Sequence, residues 1–285
     1  MKILSEVHLC VVLLLCIISP QLASADEAFH KDDANLYNSK KFALGVGFGI
    51  VRFDTNIKVT DKATGGTRFI DLEGNLNLPE ISHVNTLYAA YQFNNTHQML
   101  FGYFSVNRTS NLLNVDKNFE DVIAINANIN LSDRTRFYYL SYGYKLFQDD
   151  RSAVTLILGL NGMDFKYIVE ASGDITIDGI TKSTVLLVDA NVFAPLPMIG
   201  LDFGFRFTPK WSLSTKISYI GGTFGDVSAG VLQTSINGRY KLAKNIGLLI
   251  GVTYFDAVVT IDDETKITDI SYNYDGGFIG VHFGF

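Results

Sequence analysis

Ile199-Gly-Leu-Asp-Phe-Gly-Phe-Arg-Phe-Thr-Pro-Lys-Trp-Ser-Leu-Ser-Thr-Lys-Ile-Ser-Tyr219 is the stretch of this 285-residue chain that decides its fold. Every second residue of its first half is apolar, and the residues between them are glycine or charged. The alternation resumes after residues 208–210, which carry the turn-forming sequence Thr-Pro-Lys. Because a strand turns successive side chains to opposite faces, this pattern predicts two antiparallel strands joined by a tight turn.

The same alternation recurs along most of the remaining chain. Further segments of this kind occupy residues 42–50, 232–240, 246–254 and 279–285. Short turns are expected at residues 94–97, 148–151, 208–210 and 243–245, and longer, more acidic connections near residues 61–79, 110–119, 171–184, 221–227 and 262–269. Short turns at one end and longer loops at the other are typical of outer-membrane barrels. Four short turns define four hairpins, and the first and last strands bring the expected number to ten.

The number of strands has two alternatives. Residues 123–131 and 137–147 read as one long strand that rises above the membrane, but Ser132-Asp133-Arg134 could instead form a turn. With residues 184–194 as a further strand, the barrel would have twelve strands, and eight is the other alternative. An even number places both termini in the periplasm.

The apolar residues are dispersed through the chain instead of being concentrated in long runs. Mean hydropathy is +0.18 and 13% of the residues are aromatic, yet no membrane-length apolar run follows residue 25. This distribution excludes a helical membrane protein and fits spanning strands. A soluble lipocalin-like barrel would place its apolar face inside. Lipid outside fits better, because the opposite face carries charges and the apolar face ends in the aromatic residues Trp211, Tyr219, Tyr240 and Tyr254.

The N-terminal sequence has the pattern of an export signal. Lys2 precedes an apolar run that ends before the small-residue cleavage pattern Ala23-Ser-Ala25. We therefore expect residues 1–25 to be a signal peptide, residues 26–41 a short periplasmic segment, and residues 42–285 the barrel. Both cysteines, Cys10 and Cys16, lie in the signal, so the mature chain would have no disulfide and no thiolate metal site. The net charge of −6 argues against nucleic acid as a partner.

Two motifs carry a family resemblance, Ala194-Pro-Leu-Pro-Met-Ile-Gly-Leu-Asp202 and Phe207-Thr-Pro-Lys-Trp211. In both, the chain resembles a group of proteobacterial outer-membrane β-barrels, porin-like small barrels without an assigned activity. The similarity runs from about residue 42 to residue 285. The C-terminal Phe283-Gly-Phe285 looks like the aromatic signal that the outer-membrane insertion machinery recognises. The resemblance implies a barrel fold and a location in the bacterial cell outer membrane, and it carries over no catalytic residue and no cofactor.

The interior of the predicted barrel holds the candidate functional residues. If the turn at 208–210 pairs Phe207 with Trp211, Asp202 faces Lys216 and Arg206 faces Ser212 on the inner face. We therefore predict a charge-filled interior, which either fills the lumen structurally or lines a path for solutes. The predicted lumen-lining residues are Asp202, Arg206, Lys216, Arg239 and His282.

These features predict a non-enzymatic integral barrel of the outer membrane, either a structural or surface-interaction protein or a narrow channel for small solutes. The alternative is a membrane-embedded enzyme similar to omptin proteases or lipid A-modifying hydrolases, with Asp54, Asp164 and Asp189 as available carboxylates. No Walker loop, zinc-ligand spacing or nucleophile elbow is present. The expected partners are outer-membrane lipids, lipopolysaccharide and the insertion machinery. Divalent cations bound to lipopolysaccharide could also bind to acidic loop residues. The sequence leaves the oligomeric state open.

Overall fold

The alternating segments form long antiparallel strands in the computed structural model, which describes residues 41–119, 122–177 and 180–285. The predicted signal peptide and residues 26–40 of the predicted periplasmic segment lie outside the described residues. The elements are β1 (Phe42–Asp61), β2 (Thr67–Asp71), α1 (Leu72–Leu76), β3 (Ile81–Gln92), β4 (His97–Phe119), β5 (Val122–Gln148), β6 (Ser152–Ile177), β7 (Ile180–Arg206), β8 (Trp211–Phe224), β9 (Val227–Lys241), β10 (Ile246–Asp262) and β11 (Lys266–Gly284). Among the described residues, the single helix is far too short to cross a membrane.

The strands close into a ten-stranded barrel. Each strand from β3 to β11 pairs antiparallel with the next, and β1 pairs with both β3 and β11. The strands β2 and β3 occupy one position around the barrel, because they pair with successive parts of β1. The prediction of ten strands is confirmed. β5 and β7 each run without a break, which removes the twelve-stranded alternative.

The outer face carries a band of apolar side chains. On β1, Val46, Phe48 and Ile50 are 50%, 46% and 50% exposed, while the residues between them point inward. Aromatic residues mark the periplasmic edge of the band: Phe42, Tyr91, Trp211, Tyr240 and Phe285. Tyrosines mark the opposite edge: Tyr103, Tyr138, Tyr219 and Tyr254. Outward-facing polar pairs follow directly above, such as Arg52 with Asp275 at 2.9 Å. This arrangement is the lipid-facing surface of a membrane barrel.

Several connections expected to be long loops are strand instead. Residues 110–119 belong to β4, and most of residues 171–184 belong to β6 and β7. The apolar alternation ends at the membrane edge because no lipid selects apolar side chains above it, but the backbone ladder continues with polar residues. β4 to β7 are 23 to 27 residues long, whereas β8 and β9 have 14 and 15. The barrel therefore carries a projecting wall, which consists of residues 107–119, 122–135, 165–177 and 180–196.

Two prolines lie on β7 just beyond the point where its pairing with β8 ends. β7 pairs with β8 from Arg206 only as far as Met198, and Pro195 and Pro197 follow immediately along the unpaired edge. Because proline has no N–H to donate, it is suited to an edge strand and hinders the addition of a further strand. The prolines thus protect the end of the ladder.

The predicted connection at residues 61–79 contains the second departure from a simple barrel. β1 pairs with β3 up to Arg52 and with β2 from Asn56 onward, so the residues between lack a ladder partner on this side, while β11 pairs with them on the other. The N–H of Phe53 donates to the carbonyl oxygen of Glu80 at 2.7 Å, and the N–H of Thr55 donates to the Glu73 carboxylate at 2.8 Å. Glu73 of the inserted helix α1 and Glu80, which precedes β3, therefore accept the hydrogen bonds that a continuous strand would have accepted.

Candidate functional site in the barrel interior

In the periplasmic half of the lumen, tyrosine rings occupy the space that glycines on the inner face leave free of side chains. A Cβ atom added to Gly102 would lie 1.8 Å from Cζ of Tyr139, and one added to Gly45 would lie 2.0 Å from Cε1 of Tyr88. Each ring therefore lies directly against a glycine backbone on the neighbouring strand. Gly45 on the inner face of β1 makes room for the ring of Tyr88, and Gly102 on β4 makes room for the ring of Tyr139.

An apolar cluster crosses the middle of the lumen. Its centre, here called the aromatic belt, consists of Phe53, Phe137, Phe255, Tyr272 and Tyr274, none of which is more than 5% exposed. The rings of Phe255 and Tyr274 stack at 4.7 Å between centroids, and Phe137 meets Phe255 at 5.1 Å. All ten barrel strands contribute buried side chains to this one cluster. The cluster therefore fills the cross-section at mid-height, as small barrels allow.

A buried charge cluster lies above the belt, toward the cell surface. The side chain of Arg108 is fully buried and donates to the Asp133 carboxylate at 2.8 Å, to Oγ1 of Thr55 at 3.1 Å and to the Glu73 carboxylate. Thr135 donates to the second oxygen of Asp133 at 2.8 Å. The Arg108 guanidinium also lies 4.4 Å from the ring centroid of Phe53. One cation is thus held by two carboxylates, and α1 is fastened to the barrel interior through Glu73.

A cavity of about 240 Å³ lies below the belt. Lys41 and Gln92 line its periplasmic end, and Val51, Phe137 and Tyr274 line its inner end. Four of the five predicted lumen residues line it as well: Asp202, Lys216, Arg239 and His282. The fifth, Arg206, is buried beside the cavity and donates to the backbone carbonyl of Asp150.

The predicted register of the central hairpin is the observed one. Asp202 pairs with Lys216 and Arg206 pairs with Ser212 across β7 and β8. Nζ of Lys216 also lies 4.8 Å from the ring centroid of Tyr139, in cation–π contact. The charged side chains in the cavity are therefore packed among aromatic rings.

The prediction of a charge-filled interior is wrong at mid-height. Charges occupy the two ends of the lumen, and the aromatic belt separates them. A signal for the belt exists in the sequence, because the inward row of β1 continues past Gly49 to Val51 and Phe53. The outward-facing positions change there from the apolar Ile50 to the charged Arg52. Because of this change, the strand expected from the sequence ends at residue 50, before the inward-facing Val51 and Phe53.

The carboxylates considered for catalysis do not converge. Asp54 lies on the outer face of β1, where it accepts a hydrogen bond from the Asn56 amide at 2.7 Å. Asp164 lies on β6, across the barrel, with Arg136 at 3.9 Å. Asp189 pairs with Ile168 between β6 and β7, and its side chain lies outside the described residues.

Two of the acidic residues at the outer end of β10 and β11 are paired with lysines. Asp262 lies 2.6 Å from Lys62, and Asp269 lies 3.7 Å from Lys58 and accepts from Thr260. Within residues 41–119, 122–177 and 180–285, no group of three or more His, Cys, Asp or Glu side chains is placed to hold a metal ion. Two of the acidic loop residues expected to meet divalent cations are Asp174 and Asp178 in the connection near residues 171–184. Asp178 falls outside the described ranges, and the side chain of Asp174 is not described.

The periplasmic end is organised by short turns and by the meeting of the two barrel ends. In the turn after β5, the backbone N–H groups of Arg151 and Ser152 donate to Asp149 and lower the pKa of its carboxyl below its ordinary value. At the seam, the N–H of Phe285 donates to the carbonyl oxygen of Phe42 at 2.8 Å. Phe285 is 62% exposed, and both it and Phe283 point toward lipid. The predicted insertion signal therefore also completes the seam.

Comparison with known proteins finds similarity in structure alone. No family model matches the chain, and no curated protein matches its sequence. The outer membrane protease OmpT of Escherichia coli is 10% identical, with 86% of this chain and 96% of that chain covered and a TM-score of 0.52. The translocator domain of the autotransporter NalP of Neisseria meningitidis is 11% identical, covers 86% of this chain and 87% of that chain, and has a TM-score of 0.44.

The outer membrane protein OprG of Pseudomonas aeruginosa is 11% identical, covers 86% of this chain and 96% of that chain, and has a TM-score of 0.37. Of these three, the likeness to OmpT exceeds a TM-score of 0.5, and at 10% identity it shows a shared fold. The closed sheet and the apolar band around it agree with that fold. The chain is an integral β-barrel of the bacterial outer membrane.

Proposed function

We propose that the barrel does not conduct solutes and that it holds the projecting wall of β4 to β7 at the cell surface. The observation that carries the first part is the apolar cluster around the aromatic belt, to which all ten barrel strands contribute. Passage of a hydrated ion would require water to replace the contacts among Phe137, Phe255 and Tyr274. Such an ion would lose its hydration in an apolar layer, at a cost of several kcal/mol.

The belt is also supported from above. Arg108 packs over Phe53 and is held by the carboxylates of Glu73 and Asp133. Because this network ties β4, β5 and α1 together, a path past the belt would also have to break buried ion pairs. Two layers in contact with each other therefore oppose conduction.

The projecting wall supports the surface role. Its four strands continue well above the apolar band, and they are hydrogen-bonded to one another along that length. A wall of this height is not needed to cross the membrane. The divergent positions of Asp54 and Asp164 favour a contact surface over a hydrolytic site.

Single-channel recording in a planar bilayer tests the closed lumen. We expect no discrete openings from the purified wild-type barrel. We expect stepwise openings from the Phe137→Ala/Phe255→Ala variant, because two belt rings are then missing. Leu140→Ala/Ile250→Ala is the matched control, since both side chains face lipid and are 50% and 59% exposed. Regular openings of the wild-type barrel would refute the proposal.

Labelling of intact cells tests the placement of the wall. The exposed wall residue Asn130 is replaced by cysteine, and an impermeant maleimide is applied outside the cell. We expect Asn130→Cys to react and Lys244→Cys, in the turn after β9, to react only after the outer membrane is permeabilised. The reverse result would contradict the orientation.

A further inference from the structure

The cavity below the aromatic belt combines an excess of cations with an apolar end. Its lining contains Lys41, Lys216 and Arg239 but a single carboxylate, Asp202. Nearby, Lys145 donates to the Gln148 amide oxygen at 3.1 Å and Arg206 donates to a backbone carbonyl. The potential inside the periplasmic half is therefore positive.

Polar atoms in this cavity have free hydrogen-bonding capacity. In the part of the chain that the structure describes, Oδ1 of Asn161, Nδ1 of His282 and the hydroxyl of Tyr88 have no hydrogen-bond partner. Asn161 is 3% exposed and His282 is 8% exposed, and both line the cavity. Buried polar groups of this kind are normally paired, so the cavity must supply a partner to them, either water or a ligand.

The inner end of the cavity has the opposite character. Val51, Val84, Phe104, Phe137 and Ile157 line it, and they belong to or pack against the apolar cluster. Water gains few hydrogen bonds beside such a surface, whereas an apolar ligand group removes that surface from water. A volume of about 240 Å³ corresponds to about eight water molecules, which suits a ligand of about ten non-hydrogen atoms.

We propose that this cavity binds a small amphipathic monocarboxylate entering from the periplasm. The carboxylate lies between Lys216 and Arg239, and the apolar part of the ligand points toward the aromatic belt. The amide of Asn161 and the hydroxyl of Tyr88 meet the polar end or its remaining waters. The proposal goes beyond the surface role and does not depend on it, since the cavity lies at the opposite end of the barrel.

Calorimetric titration of the refolded barrel in a zwitterionic detergent tests the site. The probes are 3-phenylpropionate, its neutral counterpart 3-phenylpropanol, and inorganic phosphate. We expect 3-phenylpropionate to bind at least tenfold more tightly than either of the other two. Equal binding of the alcohol would remove the role of the cations, and equal binding of phosphate would remove the role of the apolar end. Either result overturns the proposal.

Variants locate the site. Arg239→Gln and the double variant Asp202→Asn/Lys216→Met should each weaken binding of 3-phenylpropionate at least tenfold, and the double change avoids leaving Asp202 beside a missing cation. Lys244→Met, an exposed lysine at the same end of the barrel, should leave the affinity unchanged. Heat-dependent gel mobility confirms that each variant is folded. Unchanged affinity in both folded cavity variants would overturn the proposal.

Discussion

Arg108 is the buried charge on which the outer half of the lumen depends. Replacing it with alanine leaves the carboxylates of Asp133 and Glu73 buried without their cation. We expect Arg108→Ala to lower the free energy of unfolding by about 3 to 5 kcal/mol, the range for breaking a buried ion pair from one side. Urea denaturation of the barrel in lipid vesicles, followed by tryptophan fluorescence, measures the change.

Arg52 provides the control for this measurement. The ion pair of Arg52 with Asp275 is 2.9 Å long, close to the 2.8 Å between Arg108 and Asp133, but both of its side chains are more than half exposed. Arg52→Ala should therefore cost about 0 to 1 kcal/mol. Equal losses in the two variants would contradict the assignment of Arg108 as a buried structural charge.

Gly102 is required by the ring of Tyr139. A methyl group at Gly102 would overlap that ring, so we expect Gly102→Ala to destabilise the barrel by about 1 to 3 kcal/mol. The loss should nearly disappear when Gly102→Ala is made in a Tyr139→Ala background. Gly222→Ala serves as the comparison, because an added Cβ there would meet nothing closer than 3.5 Å. A double-mutant cycle that gives no coupling would rule out this account.

At the scale of elements, α1 is held in place by the polar contacts of Glu73 and by the buried Leu72, which packs with Leu78 and Leu131. Glu73 accepts the N–H of Thr55 and pairs with Arg108, whereas Glu80 contributes its backbone carbonyl to Phe53 and exposes its side chain. We expect Glu73→Ala to make residues 62–80 accessible to an added protease while the barrel stays folded. Mass spectrometry of the fragments reads out the site, and Glu80→Ala should digest like the wild type.

The presence of the strands, and the face of the barrel to which their side chains point, could be predicted from the sequence. The lengths of the strands could not. Lipid selects the outward residues from Phe42 to Ile50, so the period-two signal is strong there. Above the membrane edge, outward positions such as Arg52 and Asp54 are polar, and the contrast between the faces is lost. The position of α1 could not be predicted, because it depends on the contact of Glu73 with Arg108, 35 residues away.

The same limit applies to the candidate site. Alternation and one tight turn were enough to pair Asp202 with Lys216, since register follows from the turn. The aromatic belt was missed because the expected strands end at Ile50 and Tyr254, before the inward-facing residues Phe53 and Phe255. Lumen filling is a property of all strands together, so the partial signal on β1 did not show that the interior is apolar at mid-height.

For the whole molecule, the closing contact between β1 and β11 can be tested by cysteine pairs. Val46 pairs with Val281, and Val281 pairs with Leu248 on its other side. We expect Val46→Cys/Val281→Cys to form a disulfide on mild oxidation. Val46→Cys/Leu248→Cys should remain reduced, because two strand spacings of about 4.8 Å exceed the reach of a disulfide. Gel mobility before and after reduction distinguishes them, and a reversed pattern would contradict closure.

The height of the apolar band has a consequence for the surrounding bilayer. From Phe42 to Ile50 a strand advances eight residues, which at about 3.3 Å each and a tilt of about 40° spans about 20 Å. A typical hydrocarbon core is about 30 Å thick. The apolar band therefore matches a membrane with a thin hydrocarbon core. In a thicker membrane, the bilayer next to the barrel must become locally thinner. Refolding should accordingly be faster in vesicles of ten- to twelve-carbon lipids than in eighteen-carbon lipids, so hydrophobic thickness alone would direct this protein toward the thinner of two membranes.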